Sequence, residues 1–448
     1  MMDAERLAAL ISEHRVAGAS VAVLHHGDVV AEAAAGFAHR GAGIEATTDT
    51  VFQIGSITKV WTATVAMQLV DEGALELDAP IHRVLPELRL STEELTEGVT
   101  LRHLLSHTSG IDGDFFADTG RGDDNLERYA ALLRDVAANH PLGVTQSYCN
   151  AGYSLLGRVL EVVTGVQWDQ LMRRRLFQPL GLTHTGTLPE EALLHRAAIG
   201  HGGEPLTPVP MWGLMRSAGP AGLIHATARD VLRFARLHLN RGVTEDGTRL
   251  LSEGSAALMR QPQVAMPDPY VLGKHWALGW FLDEWDGTTV YGHDGGTIGQ
   301  SAYLRVLPEL DLAVVLLTNG GGSAALYHEL FAEIVADLAG VTMRPAVGPS
   351  PEPLPFDPAD YVGRYERAGQ HLEVLERDGT LYLVSKNVGH LAAVAGEQRT
   401  ELEMHAFEQD AFVVMRHDVG IHFPVVFYNL PDGSRYLHHG VRATPKVA

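Results

Sequence analysis

The spacing of hydrophobic and polar positions changes along the chain, and each change predicts a different kind of element. Residues 17–33 contain two apolar runs separated by a polar turn, which predicts strand, turn and strand. Residues 56 to about 270 mostly show the helical period, with connecting loops rich in Gly, Asp and Thr. Four short apolar runs between residues 276 and 318 predict further strands. A helix is predicted over residues 324–338.

A cluster of prolines marks the clearest domain boundary. Six prolines lie between residues 345 and 358, and this density predicts a stiff, extended linker. Beyond it, short alternating apolar runs follow at regular spacing, separated by turn signals such as Asp378-Gly379. This pattern predicts a small antiparallel barrel, with a generic β-sandwich as the alternative. The predicted domains are therefore residues 1–342 and 359–448, joined by a linker over residues 343–358.

Composition and charge narrow the classes of partner. The 448 residues are 46% apolar, which is enough for a full core, and they contain no apolar run long enough for a transmembrane helix. With 34 basic against 55 acidic residues, the net charge of −21 argues against nucleic acid and anionic membranes as partners. The first fifteen residues form a charged amphipathic pattern without the basic and apolar regions of a signal peptide, so a cytoplasmic location is expected.

Cysteine and histidine usage bears on cofactors. The single cysteine, Cys149, excludes an internal disulfide, and its small side chain is expected to fill space rather than act as a nucleophile. The 23 histidines include no His-Glu-x-x-His pattern, and there are no cysteine pairs. Neither a catalytic metal nor another cofactor is expected.

The most informative chemistry lies in a Ser-x-x-Lys pair formed by Ser56 and Lys59. The uninterrupted apolar run over residues 60–70 predicts a helix that starts near this pair and ends near Gly73. Residues three apart share a helix face, so the hydroxyl and the amine should lie one turn apart. A serine hydroxyl needs a nearby base to act as a nucleophile, and a desolvated lysine can be that base. Taken alone, the pattern fits an ordinary helix start equally well.

Two further motifs accompany the pair. Tyr148-Cys149-Asn150 opens another helical pattern, and His293-Asp294-Gly295 ends a strand-like run. In this order the three motifs resemble the serine β-lactamase and penicillin-binding-protein superfamily, in its class C β-lactamase-like branch. Three more blocks resemble the same branch, and they span residues 104–111, 179–182 and 221–230. The resemblance covers roughly residues 5–340.

The resemblance implies an architecture. The catalytic domain is expected to be an α/β sandwich, in which N-terminal and C-terminal pieces share one antiparallel sheet flanked by helices and a helical lobe is inserted between them. The small barrel predicted after the linker resembles the lipocalin-like accessory domain attached to many class C-like serine hydrolases.

The resemblance also implies roles for the site residues. Ser56 would attack a carbonyl and form an acyl-enzyme, Lys59 would take its proton, and Tyr148 would relay protons to the leaving group or the incoming nucleophile. Asn150 would hydrogen-bond the lysine and the substrate amide. Backbone N–H groups of Ser56 and Gly296 would form the oxyanion hole.

The third motif separates this chain from relatives that hydrolyse antibiotics. True β-lactamases and cell-wall transpeptidases carry Lys-Thr-Gly where this chain has His293-Asp294-Gly295. A fixed cation for the substrate carboxylate is thus replaced by a neutral or titrating imidazole, so antibiotic hydrolysis is not expected. Gly295, like Gly296, is expected to let the substrate backbone approach the strand. The His-x-Gly form is found in esterases, D-aminopeptidases and penicillin-binding-protein-type thioesterases.

The traits together favour the thioesterases, which release nonribosomal peptides from carrier proteins, often as macrocycles. In that group an arginine of the lipocalin-like domain binds the carboxylate of the incoming residue, and Arg442 is the candidate here. The expected substrate is a small molecule or peptide, including a peptidyl thioester on a carrier protein. A cytoplasmic esterase or a D-amino-acid-specific peptidase or amidase is the alternative, and a non-catalytic ligand-binding relative is the third hypothesis.

Overall fold

The computed structural model describes residues 2–417 and 419–447, including every side chain in them except those of residues 394 and 395. The chain divides into two compact units. The first comprises Met1–Glu76, Leu160–Gln261 and Ala277–Pro345, and the second comprises Leu77–Val159, Pro262–Trp276 and Ala346–Ala448. No helix within the described residues is both long enough and apolar enough to cross a membrane.

The α-helices are α1 (Ala4–Glu13), α2 (Thr58–Asp71), α3 (Glu93–Gly98), α4 (Leu101–Leu105), α5 (Asn125–Leu132), α6 (Asn150–Thr164), α7 (Trp168–Met172), α8 (Pro189–Ala192), α9 (Gly219–Gly222), α10 (Ala228–Leu239), α11 (Glu253–Leu258), α12 (Ser323–Ala339) and α13 (Gly389–Ala395). The strands are β1 (Gly18–His25), β2 (Asp28–His39), β3 (Ile44–Glu45), β4 (Phe52–Gln53), β5 (His201–Gly202), β6 (Thr207–Pro208), β7 (His225–Ala226), β8 (Val264–Ala265), β9 (His275–Trp276), β10 (Phe281–Trp285), β11 (Thr288–Thr297), β12 (Gln300–Leu307), β13 (Leu312–Thr318), β14 (Gly363–Arg367), β15 (Gln370–Arg377), β16 (Thr380–Asn387), β17 (Arg399–Glu408), β18 (Ala411–Arg416), β19 (Ile421–Asn429), β20 (Arg435–His439) and β21 (Arg442–Pro445).

The sheet of the first unit joins distant parts of the chain. Its strands lie in the order β3-β2-β1-β13-β12-β11-β10, and neighbouring strands are antiparallel. Strand β1 pairs with β13, with Val21 opposite Leu316. The N-terminal strands and the strands after residue 280 therefore share one sheet, as the family resemblance implied.

Helices cover both faces of this sheet. On one face, Leu7 of α1 and Phe331 of α12 belong to the same buried cluster as Val21 and Val314 of the strands. The alternate residues of β13 are buried too, and α10 contacts both β1 and β13. A strand that is buried on both faces explains the unbroken apolar run over residues 312–317. The predicted α/β sandwich is confirmed.

Helix α2 is buried on all sides, because every residue from Thr58 to Leu69 is buried. Trp61 stacks on Phe234 of α10, with ring centres 4.1 Å apart. A helix without an exposed polar face belongs to the interior of a domain. The lysine of the Ser-x-x-Lys pair therefore lies in the first turn of an enclosed helix, and the serine lies in the turn that leads into it.

The C-terminal strands of the second unit form the predicted barrel. Strands β14 to β21 lie in sequential order, and every neighbouring pair is antiparallel. The ends meet where Val447 donates its backbone N–H to the carbonyl of Arg364, at 2.8 Å. The interior is filled by alternate residues such as Leu372, Val374 and Phe427. Because the edges pair with each other, the barrel prediction is confirmed.

The residues between α12 and the barrel form no regular helix or strand. Residues 341–357 contain neither helix nor strand, and a 3₁₀ turn over Pro358–Asp360 precedes the barrel. The domain boundaries at residues 342 and 359 stay a prediction.

One predicted strand is interrupted. The apolar run over residues 276–282 forms the end of β9 and the start of β10, with a turn between them. Ala277 donates its N–H to the carbonyl of Trp280 at 2.7 Å, and Gly279 adopts a φ of +91°. Glycine permits this left-handed conformation, which a strand cannot contain. The single-strand prediction was therefore wrong at this point.

Candidate active site

Ser56 lies in a 3₁₀ turn, Gly55–Ile57, that leads directly into α2. Its side chain is partly exposed, whereas Lys59 is completely buried one turn later. Lys59 Nζ lies 3.1 Å from Ser56 Oγ, within hydrogen-bonding distance. The structure thus brings the predicted nucleophile and base together, as their spacing on one helix face required.

A distant segment supports the buried amine. Lys59 Nζ donates a hydrogen bond to the carbonyl of Ala221 at 2.7 Å. Close by, Thr58 Oγ1 accepts the backbone N–H of Ile224 at 3.1 Å. Ala221 has no functional side chain that would single it out in the sequence, although the block over residues 221–230 indicated that this segment matters. Its carbonyl satisfies a polar group that would otherwise be costly to bury.

Two glycines of β11 lie against the nucleophile turn. A Cβ at Gly295 would be 1.9 Å from the carbonyl oxygen of Ile54 and 3.2 Å from the backbone nitrogen of Ser56. A Cβ at Gly55, whose φ is +52°, would lie 2.7 Å from the backbone nitrogen of Gly296. A Cβ at Gly296 would meet nothing within 4 Å. Gly295 thus makes room for the turn itself, and Gly296 is the glycine that borders open space.

His293 is buried next to these glycines. Its Nδ1 lies 2.6 Å from the backbone carbonyl of Asp294, which can only accept, so Nδ1 carries the proton and Nε2 the lone pair. Burial, followed by the charge of Lys59, lowers the pKa of His293 to about 3. Of the two states open at the sequence level, the structure therefore favours the neutral imidazole at neutral pH.

The second unit contains Tyr148 and Asn150. Asn150 is the first residue of α6, and the buried Tyr148 precedes it. The Tyr148 ring packs against the ring of His107, with centres 4.3 Å apart. His107 Nδ1 also accepts the backbone N–H of Cys149 at 3.0 Å. The block over residues 104–111 therefore supports the Tyr-x-Asn motif through His107, a contact that no local pattern in the sequence predicts.

The middle residue of the motif is a buried thiol. Cys149 is buried, and its Sγ lies 3.3 Å from the carbonyl of Ile111. Burial raises the pKa of the Cys149 thiol to about 12. A thiol is nucleophilic as the thiolate, so Cys149 is poorly suited to act as a nucleophile near neutral pH.

Arg442 begins strand β21 and is already paired with a carboxylate of the protein. Its Nε and Nη2 donate to Asp114 at 3.1 and 2.8 Å, and its Nη1 donates to the carbonyl of Gly440 at 2.8 Å. The guanidinium carbon lies 5.2 Å from the centre of the Tyr148 ring. Arg442 thus lies beside a predicted catalytic residue, and its role in substrate binding stays a prediction.

One cluster within the described residues has the spacing of a metal site, and it consists of Glu13, His14 and Glu329. His14 Nε2 lies 2.7 Å from Glu329, and Arg6 donates to the same carboxylate at 3.0 Å. The neighbouring guanidinium supplies the positive charge that a metal ion would bring. The cluster is explained as an ion pair between α1 and α12.

Comparisons with known proteins point to one family. The family model described as Beta-lactamase matches residues 4–338. Penicillin-binding protein 4 of Amycolatopsis lactamdurans is 50% identical over 370 residues, which are 82% of this chain and 97% of that protein.

Solved structures of proteins with a similar fold support the same family. The structure of SurE has a TM-score of 0.78 at 30% identity and covers 99% of both chains, and SurE with D-Leu has 0.75 at 28% with the same coverage. A class C beta lactamase from Rhodobacter sphaeroides has a TM-score of 0.61 at 25% identity, covering 74% of this chain and 99% of that one.

Replacing Gly295 or Gly296 by alanine should affect the free energy of unfolding differently. Gly295→Ala places a Cβ against the carbonyl of Ile54, so we expect a loss of about 1–3 kcal/mol or more of unfolding free energy, as overpacking costs. Gly296→Ala is the matched control, since its Cβ faces open space and its N–H is kept. Denaturant unfolding measures both variants. Equal stability of the two would contradict the close packing of the turn on β11.

Acid should destabilise the fold through buried histidines such as His293. Its folded-state pKa of about 3 lies below the ordinary 6.5, so between these values the unfolded chain binds a proton that the folded protein does not. Stability should therefore fall as the pH falls through this window, by about 2 kcal/mol per such group at pH 5. We expect His293→Asn to flatten the dependence of unfolding free energy on pH. The exposed His371→Asn is the control, and identical slopes for both variants would refute the assignment.

Proposed function

The chain belongs to the beta-lactamase family of serine hydrolases, and we propose that within it the protein is a penicillin-binding-protein-type thioesterase. In this proposal it takes a peptidyl group from a carrier-protein thioester and releases it as a macrocycle. Ser56 is the nucleophile, and the reaction passes through an acyl-enzyme. A cytoplasmic location remains part of the proposal.

The observation that carries the acyl-enzyme is the 3.1 Å approach of Lys59 Nζ to Ser56 Oγ. In the proposed reaction Lys59 accepts the proton of Ser56 while Oγ forms a bond to the thioester carbon. The carbonyl oxygen becomes an oxyanion, held by the N–H groups of Ser56 and Gly296. The C–S bond then breaks, and Tyr148 passes a proton to the departing thiolate.

The second half of the proposed reaction reverses these roles. The amine at the other end of the peptide attacks the ester carbon of acylated Ser56, and its proton leaves through Tyr148. The bond to Ser56 Oγ breaks, and Oγ regains a proton from Lys59. Asn150 is proposed to hold the lysine and a substrate amide during both halves. Water in place of the amine gives the linear acid.

The environment of His293 supports a substrate other than an antibiotic. A buried, neutral imidazole cannot provide the fixed positive charge that the family's antibiotic-hydrolysing members use for a carboxylate. The likeness to SurE also extends over 99% of both chains, so it includes the C-terminal barrel. The class C beta lactamase covers 74% of this chain. These observations favour the branch in which a barrel accompanies His-x-Gly.

A peptidase or amidase acting on D-amino acids is the second candidate, with hydrolysis in place of cyclisation. The observation that favours it is the structure of SurE with D-Leu, which is 28% identical to this chain over its full length. Both candidates share the acyl-enzyme on Ser56 and differ in the acceptor.

Ser56 should become acylated by an activated peptide thioester, because Lys59 can remove its proton. We expect Lys59→Ala to fold and to slow single-turnover acylation on the order of 10²-fold or more, as for loss of a proton-transfer group. Mass spectrometry of the intact and digested protein measures the adduct. The exposed Lys386→Ala is the control and should acylate like the wild type. An adduct on Cys149, or the absence of any adduct with every acyl donor tried, would contradict the proposed mechanism.

Turnover of nitrocefin should be slow or absent, because His293 is neutral where a cation would hold the antibiotic's carboxylate. The measurement is the absorbance change on ring opening, and slow acylation without turnover would agree with the expectation. A second-order constant of roughly 10⁶ M⁻¹s⁻¹ or above, typical of efficient enzymes, would overturn it.

If Arg442 binds the carboxylate of the incoming residue, Arg442→Ala should shift the product from cyclic towards linear more than it slows acylation of Ser56. A guanidinium matches a carboxylate with two parallel hydrogen bonds, and this match would be lost. The measurement is the cyclic-to-linear ratio from a synthetic peptide thioester, with acylation followed in parallel. An unchanged ratio would end the substrate-binding hypothesis for Arg442. Hydrolysis alone by the wild type would favour the peptidase candidate.

A further inference from the structure

The hairpin between β20 and β21 is bonded to the loop that carries Tyr148. The backbone N–H of Tyr148 donates to the carbonyl of Val441 at 2.9 Å. One step along, the N–H of Ala443 donates to Ser147 Oγ at 3.2 Å. The residues before Tyr148 are therefore held by the outer edge of a barrel hairpin almost 300 residues later in the chain.

The turn of this hairpin has an unfavourable residue at the point of contact. Gly440 and Val441 form a two-residue connection with φ values of +56° and +60°. Such turns need positive φ at both central positions, which glycine and asparagine tolerate and a β-branched residue does not. Val441 is held in this conformation while its carbonyl accepts the N–H of Tyr148. Backbone strain of this kind is often found at functional sites.

Buried charged side chains also hold the same hairpin. Asp114 has only 4% of its side chain exposed and accepts hydrogen bonds from both Arg442 and Arg367. Burial alone would raise the pKa of Asp114, but the charges of Arg442 and Arg367 outweigh it and lower this pKa to about 2. Near neutral pH the Asp114 carboxylate is therefore ionised and paired with Arg442, and this ion pair is called the clamp below.

The loop with Asp114 also contacts the Tyr-x-Asn motif directly. The carbonyl of Gly113 accepts the backbone N–H of Asn150 at 3.2 Å. A Cβ at Gly113 would lie 2.2 Å from the carbonyl oxygen of Tyr148, so a side chain there would displace the motif. Asp114 thus joins the hairpin and the motif through one short segment of backbone.

We propose that Arg442 and Asp114 are positioning residues that hold Tyr148 for proton transfer. The proposal rests on the proposed function, because it takes the proton relay of Tyr148 as given. The clamp fixes the Val441 carbonyl that binds the Tyr148 backbone. It also keeps a guanidinium 5.2 Å from the centre of the phenol ring, where it stabilises negative charge on the phenol during proton transfer.

This role and carboxylate capture differ in what they predict for Asp114→Asn. If Arg442 served mainly to bind a substrate carboxylate, weakening its bond to Asp114 would free the guanidinium and preserve or improve capture. If the pair positions Tyr148, the same change should slow acylation of Ser56, a step that needs no incoming carboxylate.

The test is a double-mutant cycle on Arg442 and Tyr148 in the full chain, read as the single-turnover rate of Ser56 acylation by a peptide thioester. Arg442→Gln should slow acylation on the order of 10-fold or more, within the 10²- to 10⁴-fold that a proton-transfer group contributes. In the Tyr148→Phe background the same change should have no further effect, because a positioning residue acts through the group it positions. Equal slowing in both backgrounds would overturn the proposal.

The controls separate positioning from general stability. Arg435 forms a similar pair with Asp410 at 2.9 Å, but it begins β20 and so lies at the opposite end of that strand from the Gly440-Val441 turn, which binds Tyr148. Arg435→Gln should lower the melting temperature without changing the acylation rate of the folded protein. Arg442→Lys keeps the charge and should acylate faster than Arg442→Gln. If Arg442→Gln does not fold, the same cycle is run with Arg442→Lys and Asp114→Asn.

The outcomes also separate this proposal from the proposed function. If the wild type is not acylated by any thioester or ester, the proposed function fails. If the wild type is acylated and Tyr148→Phe is not slower, the proton relay fails and the positioning role fails with it. If Tyr148→Phe is slower but the effect of Arg442→Gln is additive, only the positioning role fails.

Discussion

A completely buried lysine beside a partly exposed serine is the interaction on which the rest of the structure depends. Lys59 lies at the start of α2, a helix whose residues from Thr58 to Leu69 are all buried. An amine in that place is tolerated because Ala221 and Ser56 lie within hydrogen-bonding distance of it. The helix contacts α7, α9 and α11 and stacks on α10 through Trp61, while the turn before it packs on β11. The sheet that contains β11 is built from strands at both ends of the first unit.

The nucleophile turn adds a steric demand to this polar one. The backbone of residues 54–56 packs on β11 so closely that no side chain fits at Gly295. Such an approach requires glycine on the strand and a left-handed glycine in the turn, and the chain has Gly295 and Gly55 there. The charge next to this turn is paired, because Asp294 forms a salt bridge with Arg305 on the neighbouring strand β12. The adjacent His293 is neutral near pH 7, since its pKa is lowered to about 3. The first unit thus brings an amine and a hydroxyl within hydrogen-bonding distance, and the one ionised side chain of β11, Asp294, is paired.

In the second unit, contacts from several segments converge on one tyrosine, Tyr148. Tyr148 is contacted by His107, which follows α4, and by Arg442 of the barrel, and its backbone N–H donates to the carbonyl of Val441. The Asp114 carboxylate joins these parts, since Arg367 and Arg442 both belong to barrel strands and Asp114 lies between α4 and α5. A buried ion pair contributes little net stability, but it specifies one arrangement strongly because breaking it leaves a buried charge. The barrel is therefore part of the unit that contains the Tyr-x-Asn motif.

The sequence by itself determined what depends on short spacing. The pairing of Ser56 with Lys59 followed from their three-residue separation at the start of a helix. The strands of the sandwich followed from short apolar runs and those of the barrel from alternation, because local patterns record which sides of an element are buried. The tertiary structure decided the supporting contacts, such as Ala221 with Lys59, 162 residues apart, and Arg442 with Asp114, 328 apart. It also decided which glycine is packed and which is open at Gly295 and Gly296. No local pattern in the sequence predicts these contacts. The role of a carbonyl, a carboxylate or a glycine depends on which atoms the fold places next to it, and those atoms come from distant parts of the chain.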